Sequence, residues 1–463
     1  MPLDYASLSN ELSPAEVKDI CEEVASRQHG MDTTLSEFAT SSDQAYKNGA
    51  YTSDTNEDPF NEDQFAFDSH KIVFSKAARL LMEKTQSVVR PNKDQAFGNL
   101  TTRGMHVFTV ASNARKIALS LGANTFLAEA IARAHDLGHP PFGHVGEAYL
   151  TRAIYEFGQE YLNIIGAFKH NIQGVHTVDR VTMRRGEIMG GLNLTDQVRH
   201  GIASHDGEMD KTKSIPNRKI FPENLNKDLQ DYFDRIIKAS AYIDFNPDIR
   251  DDEELVKEYR DKVCGALKTV IIAPATLEAC IVFMSDVLTY CPEDYEDMVK
   301  LGIADRNQLP TDVAKKLGTN GTEMMDRLLK DLIIHSYGKD GVFYSKEVGE
   351  LLNKFKREFL YPRYYRINQW IYSLAGHPSM KPFTSAHTIR ERMNYLFRSF
   401  YTALDDKNKH ASNPIVSEFL SDRDLHAYLN SMPDDGYHDI RAVIDYVSGC
   451  TDGYFLNLSE DTL

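Results

Sequence analysis

The sequence predicts an all-α fold, and three observations predict it. Apolar residues recur at helical spacing along most of the chain, period-2 alternation is scarce, and the chemistry-bearing motifs are spread from residue 86 to residue 452. One site assembled from such distant helices fits a single large domain better than independent modules. The length of 463 residues taken alone suggests two or three.

Taken in order, residues 1–67 read as an N-terminal helical segment and an acidic, flexible insertion. Residues 68–463 read as the core with a C-terminal helical extension. Residues 52–63 hold Asp54, Glu57, Asp58, Glu62 and Asp63 with no base, and 29–65 reads as a surface insertion or mobile segment. Helical periodicity begins over 71–86. Residues 105–121 place Met105, Phe108, Ala111, Ala118 and Leu121 near one face, and Gly122 is a stop signal. Residues 125–138 repeat the pattern with Leu127, Ile131 and Ala134. Residues 275–290 form the most apolar helix, bounded by Pro274 and Pro292. Further amphipathic stretches are 146–157, 228–243, 323–335, 347–359, 388–404 and 438–449. Residues 206–227, 305–322 and 405–414 read as polar loops.

There are 52 Lys and Arg against 68 Asp and Glu, a net charge of −16. That excess argues against a protein that coats DNA or an anionic membrane. A polyanionic small molecule would need a metal or a local basic pocket to overcome the field. The five cysteines (Cys21, Cys264, Cys280, Cys291 and Cys450) are scattered and form no CxxC, as expected for free thiols in a reducing cytosol. No apolar run approaches the roughly 18 residues of a spanning helix. The first residues carry Asp4, Glu11 and Glu16 and no apolar signal region, so a cytoplasmic location is expected.

The chemistry starts at His135-Asp136. His135 continues the Leu127–Ile131 stripe and should face inward, and Gly138, Pro140 and Pro141 then break the helix. Alone, the dipeptide reads first as a helix C-terminus with a capping His. His106 lies on an inward stripe with Val110, Ile117 and Leu121, where a lone His is usually a satisfied core residue. Asp286 sits in the most apolar helix with no Lys or Arg within one turn, so it needs a cation, either a metal or an Arg from another helix. His135, His139 and His144 fall within ten residues. Two or three imidazoles with two carboxylates suit a mid-series divalent ion: Mn²⁺, Fe²⁺, Ni²⁺, Zn²⁺ or Mg²⁺. Room for water and a phosphate oxygen would support metal-assisted hydrolysis.

From about residue 68 to 457 the chain resembles the deoxyguanosine triphosphate triphosphohydrolase family of the HD-domain metal-dependent phosphohydrolases. The motifs carrying the resemblance are Phe74-Ser75-Lys76-Ala77-Ala78-Arg79-Leu80, Lys84-Thr85-Gln86, Arg103-Gly104-Met105-His106, and the run from His135 to Glu147. Phe168-Lys169-His170-Asn171-Ile172-Gln173, Gly191-Leu192-Asn193-Leu194-Thr195, Leu277-Glu278-Ala279 with Asp286, and Asp445-Tyr446-Val447-Ser448-Gly449-Cys450-Thr451-Asp452 extend it.

The resemblance implies a large HD-domain helical fold with surface insertions. It implies hydrolysis of a dNTP, dGTP first, to deoxynucleoside and triphosphate, with a metal-activated water attacking the α-phosphorus. Metal ligands would be His106, His135, Asp136 and Asp286, with Mn²⁺ or Mg²⁺ as first choices. His144 is the candidate proton donor, oriented by Glu147 one helical turn away. Substrate-binding candidates are Gln86, Arg103, His139, His170, Tyr290, Asp294 and Arg363; for Arg363, snorkelling beside an aromatic cluster is an equal reading. A homo-oligomer, hexamer or tetramer, is implied, with a regulatory nucleotide or single-stranded DNA as a further partner.

Leu80, Thr101 and Gly453 stand where the family often has arginine, which puts the base preference in question more than the chemistry. His205-Asp206 precedes Gly207 without an apolar stripe and reads as a surface coincidence or loop contact; His200 reads the same way. His377, His387, His410, His426 and His438 are assigned no chemistry, and Trp370 reads as core. Two other functions compete: a different HD-type phosphohydrolase acting on nucleoside monophosphates, cyclic nucleotides or alarmones, and a non-enzymatic nucleotide-sensing or nucleic-acid-responsive regulator.

Overall fold

The computed structural model describes residues 11–30, 33–47, 50–51, 63–86, 100–182, 191–207, 212–246, 248–249, 251–364, 366, 389–405 and 437–457. Trp370, His377, His387, His410, His426 and the acidic cluster before Asp63 lie outside the described residues.

Among the described residues helices dominate, as predicted, and the strands are two-residue ladders. The first helix, α1 (Pro14–Gln28), starts from a Ser13/Glu16 capping box. The described part of 29–65 is not a loose insertion. Residues 33–47 lie against the helical body, with Thr40, Ala45, Tyr46 and Lys47 buried. The amides of Thr40 and Asn124 both donate to Glu278 Oε1 at 2.9 Å, and Tyr46 N donates to Gln197 Oε1. Buried carboxylate and amide acceptors from distant helices fix this segment, and a composition reading does not detect them.

The stretch predicted as one helix over 71–86 is split. Helix α2 (Gln64–Val73) is capped by Asp63, and α3 (Lys76–Leu80) starts afresh because Ser75 accepts from Ala78 N. Helix α4 (Arg103–Leu121) ends at left-handed Gly122 and packs on α5 (Thr125–Ala134). The face predicted for α4 is partly wrong. Met105 and Phe108 are 53% and 68% exposed, while Arg103, His106, Val107 and Val110 face inward. The inward side chains of the first turn are polar, so apolar periodicity points to the neighbouring face there.

The turn after α5 is tightly determined. A Cβ on Gly138 would lie 2.1 Å from His170 O, so only glycine fits. Phe142 (φ 65°) and Gly143 (φ 57°) are both left-handed, and α6 (Gly143–Phe157) leaves in a new direction. Left-handed backbone at a bulky residue costs about 1–3 kcal/mol. Here the Phe142 amide is held by Asp452 Oδ1 at 2.9 Å.

Next come α7 (Gln159–Ile165), α8 (His170–His176), α9 (Asp196–Ala203), α10 (Leu225–Ser240), α11 (Asp252–Glu258) and α12 (Gly265–Leu267). Helix α13 (Leu277–Lys300) corrects the stop predicted at Pro292 and continues two turns beyond it. Cys291, Tyr295 and Met298 are fully buried there, and this packing offsets the about 3 kcal/mol that an interior proline costs. The predicted loop 305–322 contains α14 (Thr311–Leu317), a two-turn helix that buries Val313 and Leu317. The remaining helices are α15 (Gly321–Ser336), α16 (Lys346–Lys354), α17 (Ile389–Asp405), α18 (His438–Gly449) and α19 (Asp452–Asn457).

Helices α4, α5 and α13 pack mutually at the centre, with α2 and α15 against them. No two cysteines are bonded. Among the described residues no helix is long and apolar enough to cross a membrane.

Candidate active site

The site forms where α4, α5 and α13 meet. At the end of α5, His135 Nδ1 donates to Ala132 O at 2.7 Å, so its proton is on Nδ1 and Nε2 carries a lone pair. That Nε2 is buried with no hydrogen-bond partner. Burial keeps the ring neutral by lowering its pKa, against the pull of Asp136 and Asp286. On α4, His106 Nδ1 pairs with Glu293 Oε2 at 2.8 Å and Nε2 with Asp286 Oδ1 at 2.9 Å. Burial disfavours the charged ring, but the bonds to Asp286 and Glu293 prevail and hold it well above its ordinary pKa.

His135 Nε2 lies 3.5 Å from Asp136 Oδ1 and 3.9 Å from Asp286 Oδ1. Two ligands bonded at about 2.1 Å to one ion stand about 3 Å apart at a right angle and about 4 Å apart when opposed. The observed spacings fall in that range, and the orphaned His135 nitrogen supplies an unused donor. The four residues therefore fit a divalent ion. Glu293 would orient His106 from behind, as a carboxylate commonly does for a metal-binding imidazole.

Arg103 Nη1 donates to Asp136 Oδ2 at 2.7 Å, and Nη2 donates to Gln86 O at 3.3 Å. Burial raises the Asp136 carboxyl, but Arg103 outweighs it and holds the group well below the carboxylate range. Burial likewise opposes Asp286, and its bond to His106 keeps it low.

A second group of imidazoles adjoins the first. On the first two turns of α6, His144 Nδ1 lies 3.3 Å from Glu147 Oε1. His144 is 72% exposed, whereas Glu147 is buried. Desolvation by the surrounding protein disfavours the charge on the His144 ring, yet Glu147 raises its pKa above the ordinary value. Glu147 is itself held low: burial opposes its charge, and His170 and Lys169 reverse that. The same Oε1 bonds His170 Nδ1 at 2.5 Å. His170 stacks on His139 with ring centres 3.8 Å apart. Burial, then Arg103 and His170, push His139 far below its ordinary pKa, so it is neutral; its Nε2 lies 3.2 Å from Asp136 Oδ1.

The structure thus gathers His106, His135, Asp136 and Asp286 into one cluster and His139, His144, Glu147 and His170 into its neighbour. Tyr290 and Asp294 follow Asp286 along α13, and Tyr364 OH donates to Asp294 Oδ2. Arg363 is not brought to the histidines. It lies over the Phe359 ring at 3.8 Å and donates to Phe359 O and Gln308.

Sequence reasoning missed Glu293 and Lys169 and misread His205, Asp206 and His200. Glu293 stands seven residues after Asp286, two turns along the same face, which is a usable signal. His205 and Asp206 are not a surface coincidence. His205 is buried with Nε2 3.0 Å from His170 Nε2, and Asp206 pairs with Lys169 at 2.9 Å. The stripe Val198–Ile202 at i, i+4 leads to His205, so an apolar face was present. Lys169 also comes within 3.9 Å of Glu147 Oε2. His200 is likewise buried, with Nε2 3.0 Å from Asp228.

The C-terminal motif braces this region. Asp452 accepts from Thr85 N at 2.8 Å and Phe142 N at 2.9 Å, and Lys84 Nζ donates to His139 O and Ser448 O. Behind the brace lies a separate cavity of about 350 Å³, lined by residues including Lys84, Leu137, Asp445 and Ser448 and by none of the clustered histidines.

Residues 103–244 match the family model described as HD domain. They contain the His106 and His135-Asp136 elements around which the cluster is built, so this part of the chain is an HD domain carrying a donor set that suits a divalent metal. Along most of its length it is similar to proteins named deoxyguanosinetriphosphate triphosphohydrolase-like. The one from Clostridium perfringens strain 13 is 27% identical, covering 85% of this chain and 84% of the relative. That of Caldanaerobacter subterraneus is 28% identical over 85% and 82%. That of Caulobacter vibrioides is 39% identical over 36% of this chain and 41% of its own.

Proposed function

We propose that the protein hydrolyses a deoxynucleoside triphosphate, dGTP first, to the deoxynucleoside and inorganic triphosphate, with Mn²⁺ or Mg²⁺ as cofactor. The observation that carries this reading is the four-donor cluster joined through His139 to the His144–Glu147 pair. The names of the relatives supply the substrate class.

His106, His135, Asp136 and Asp286 hold the ion. When bound, a divalent ion polarises a phosphoryl oxygen and makes water a better nucleophile at neutral pH. Asp136 orients Arg103, whose planar guanidinium matches phosphate oxygens. A deoxyribose 5′ oxygen leaves poorly as an alkoxide, so a proton delivered to it lowers the barrier. His144 is exposed with a raised pKa and donates that proton, and ionised Glu147 keeps the ring oriented. On this reading His139 and His170 line the phosphate side, Gln86 contacts the deoxyribose, and Tyr290 and Asp294 contact phosphate or sugar.

The same reading takes residues 68–463 as one catalytic body following the 1–67 segment. It sets the reaction in the cytoplasm, within a homo-oligomer of six or four chains that answers to a nucleotide or single-stranded DNA. The test is a screen of all dNTPs and NTPs under Mg²⁺ and Mn²⁺ with product analysis. Triphosphate and deoxynucleoside are expected; phosphate or pyrophosphate without triphosphate overturns the reading in favour of another phosphohydrolase activity.

A further inference from the structure

The cavity behind the Asp452 brace has no part in the proposed reaction. Its volume of about 350 Å³ lies within the range of sites that take small molecules. Much of its wall is apolar: Ala77 and Leu80 of α3, Leu137 of the turn after α5, Val181, and Ala442 of α18 line it. Two polar groups interrupt that wall, and the protein satisfies neither in full.

The first is Lys84, which is buried. Its Nζ donates to His139 O at 2.6 Å and to Ser448 O at 2.7 Å, which uses two of the three N–H groups of an ammonium. Ser448 is itself a lining residue, so the ammonium stands at the cavity wall. Two carbonyls solvate the charge without neutralising it. Among the described residues no carboxylate pairs with it; Asp452 and Asp136 act only at longer range, and burial still pulls its pKa down to about 8. A buried cation in that condition is stabilised by an anion. The second group is Thr182, also buried, whose Oγ1 has no hydrogen-bond partner.

The acids on the wall do not meet this need. Asp445 is occupied by Gln173, His176 and Arg441 at 2.8, 2.9 and 3.0 Å. Glu83 is exposed to solvent, as is Lys76, which is opposite in sign.

We infer that this cavity is a binding site for a small amphipathic carboxylate, with its negative head on Lys84 and its apolar body against Leu80, Leu137 and Ala442. The site does not depend on the proposed function. It is nonetheless linked to the clustered histidines, because the ammonium that meets the ligand also holds His139 O, and Leu137 directly follows Asp136.

The test reads binding alone. The probe is 3-phenylpropionate, with 3-phenylpropanamide as its neutral counterpart, each titrated into the full-length protein at pH 7 by isothermal titration calorimetry. One carboxylate per chain is expected, bound about tenfold or more tighter than the amide, as for a hydrogen bond to a charged group. Lys84→Met should erase that preference. Leu80→Trp, which fills the cavity from a half-buried position, should abolish binding of both compounds. Circular dichroism checks that each variant keeps its helicity; if Lys84→Met does not fold, Leu80→Trp decides. No binding to the wild-type protein at millimolar probe overturns the inference. So does an amide bound as tightly as the carboxylate, a carboxylate preference that persists in folded Lys84→Met, or carboxylate binding that survives Leu80→Trp.

Discussion

The chain contains the His-Asp dipeptide twice in the same structural setting, and the two copies do different things. His135 and His205 each follow the end of a helix, each fix Nδ1 on the carbonyl three residues back, and lie in contact. Their aspartates diverge. Asp136 is held by Arg103 and lies beside the His135 and His139 rings, whereas Asp206 is taken by Lys169. The chain after them diverges too, through Pro140-Pro141 into a new helix in one case and to Gly207 in the other. The dipeptide places an imidazole at a helix end; the cation that claims the aspartate decides whether the carboxylate stays available to a metal.

The comparison breaks most severely at the first pair. Asp136→Ala or Asp286→Ala should lose tight metal binding and reduce turnover to background together. Full metal retention in either variant, measured by elemental analysis, refutes that ligand assignment. Next in size is His144→Ala. It should lower kcat by about 10²–10⁴-fold while metal and dNTP still bind, and near-normal kcat would remove His144 as the proton donor. Glu293→Gln comes third, with metal affinity reduced by about 10–100-fold; unchanged affinity would mean that Glu293 does not orient His106.

The second pair is tested through stability. Burial raises the Asp206 carboxyl, but Lys169 dominates and depresses its pKa. A depressed folded pKa contributes stability that is present above the unfolded value, near 4, and is lost as pH falls below it. Asp206→Asn should therefore destabilise the protein at pH 7 by about 1.5–3 kcal/mol, the range for a hydrogen bond to a charged group, and the difference should shrink in strong acid. A pH-independent difference in denaturant midpoint would deny the Lys169–Asp206 pair its electrostatic role. The smallest effect belongs to Arg363→Ala, expected to leave kcat/KM within about twofold because its contacts run to Phe359 and Gln308. A large rise in KM would return Arg363 to the substrate.

Most helices were legible because their buried faces are apolar and periodic, as in Leu127–Ile131–Ala134. The misreadings have physical causes. The first turn of α4 turns Arg103 and His106 inward, and a hydrophobic pattern does not register polar residues that are buried against each other. Pro292 looks like a terminus because the packing that tolerates it comes from other helices. The four metal-type residues were found by combining an inward His, a stranded Asp and a dipeptide. Lys169 was not, because it has meaning only through partners brought in by tertiary folding, whereas Glu293 and His205 carried signals in their helical spacing that went unused.

Asp452 belongs to a recognised motif, yet its task of holding two backbone amides 367 and 310 residues earlier leaves no trace at its own position. That separation also sets a schedule for synthesis. The turn carrying His135 leaves the ribosome 317 residues before the carboxylate that secures it, about 16–63 s at ordinary elongation rates. Throughout that interval the Phe142 amide lacks the carboxylate that accepts from it in the folded protein. A chain released before residue 452 carries His106, His135, Asp136 and Asp286 without the carboxylate that accepts from both Thr85 N and Phe142 N.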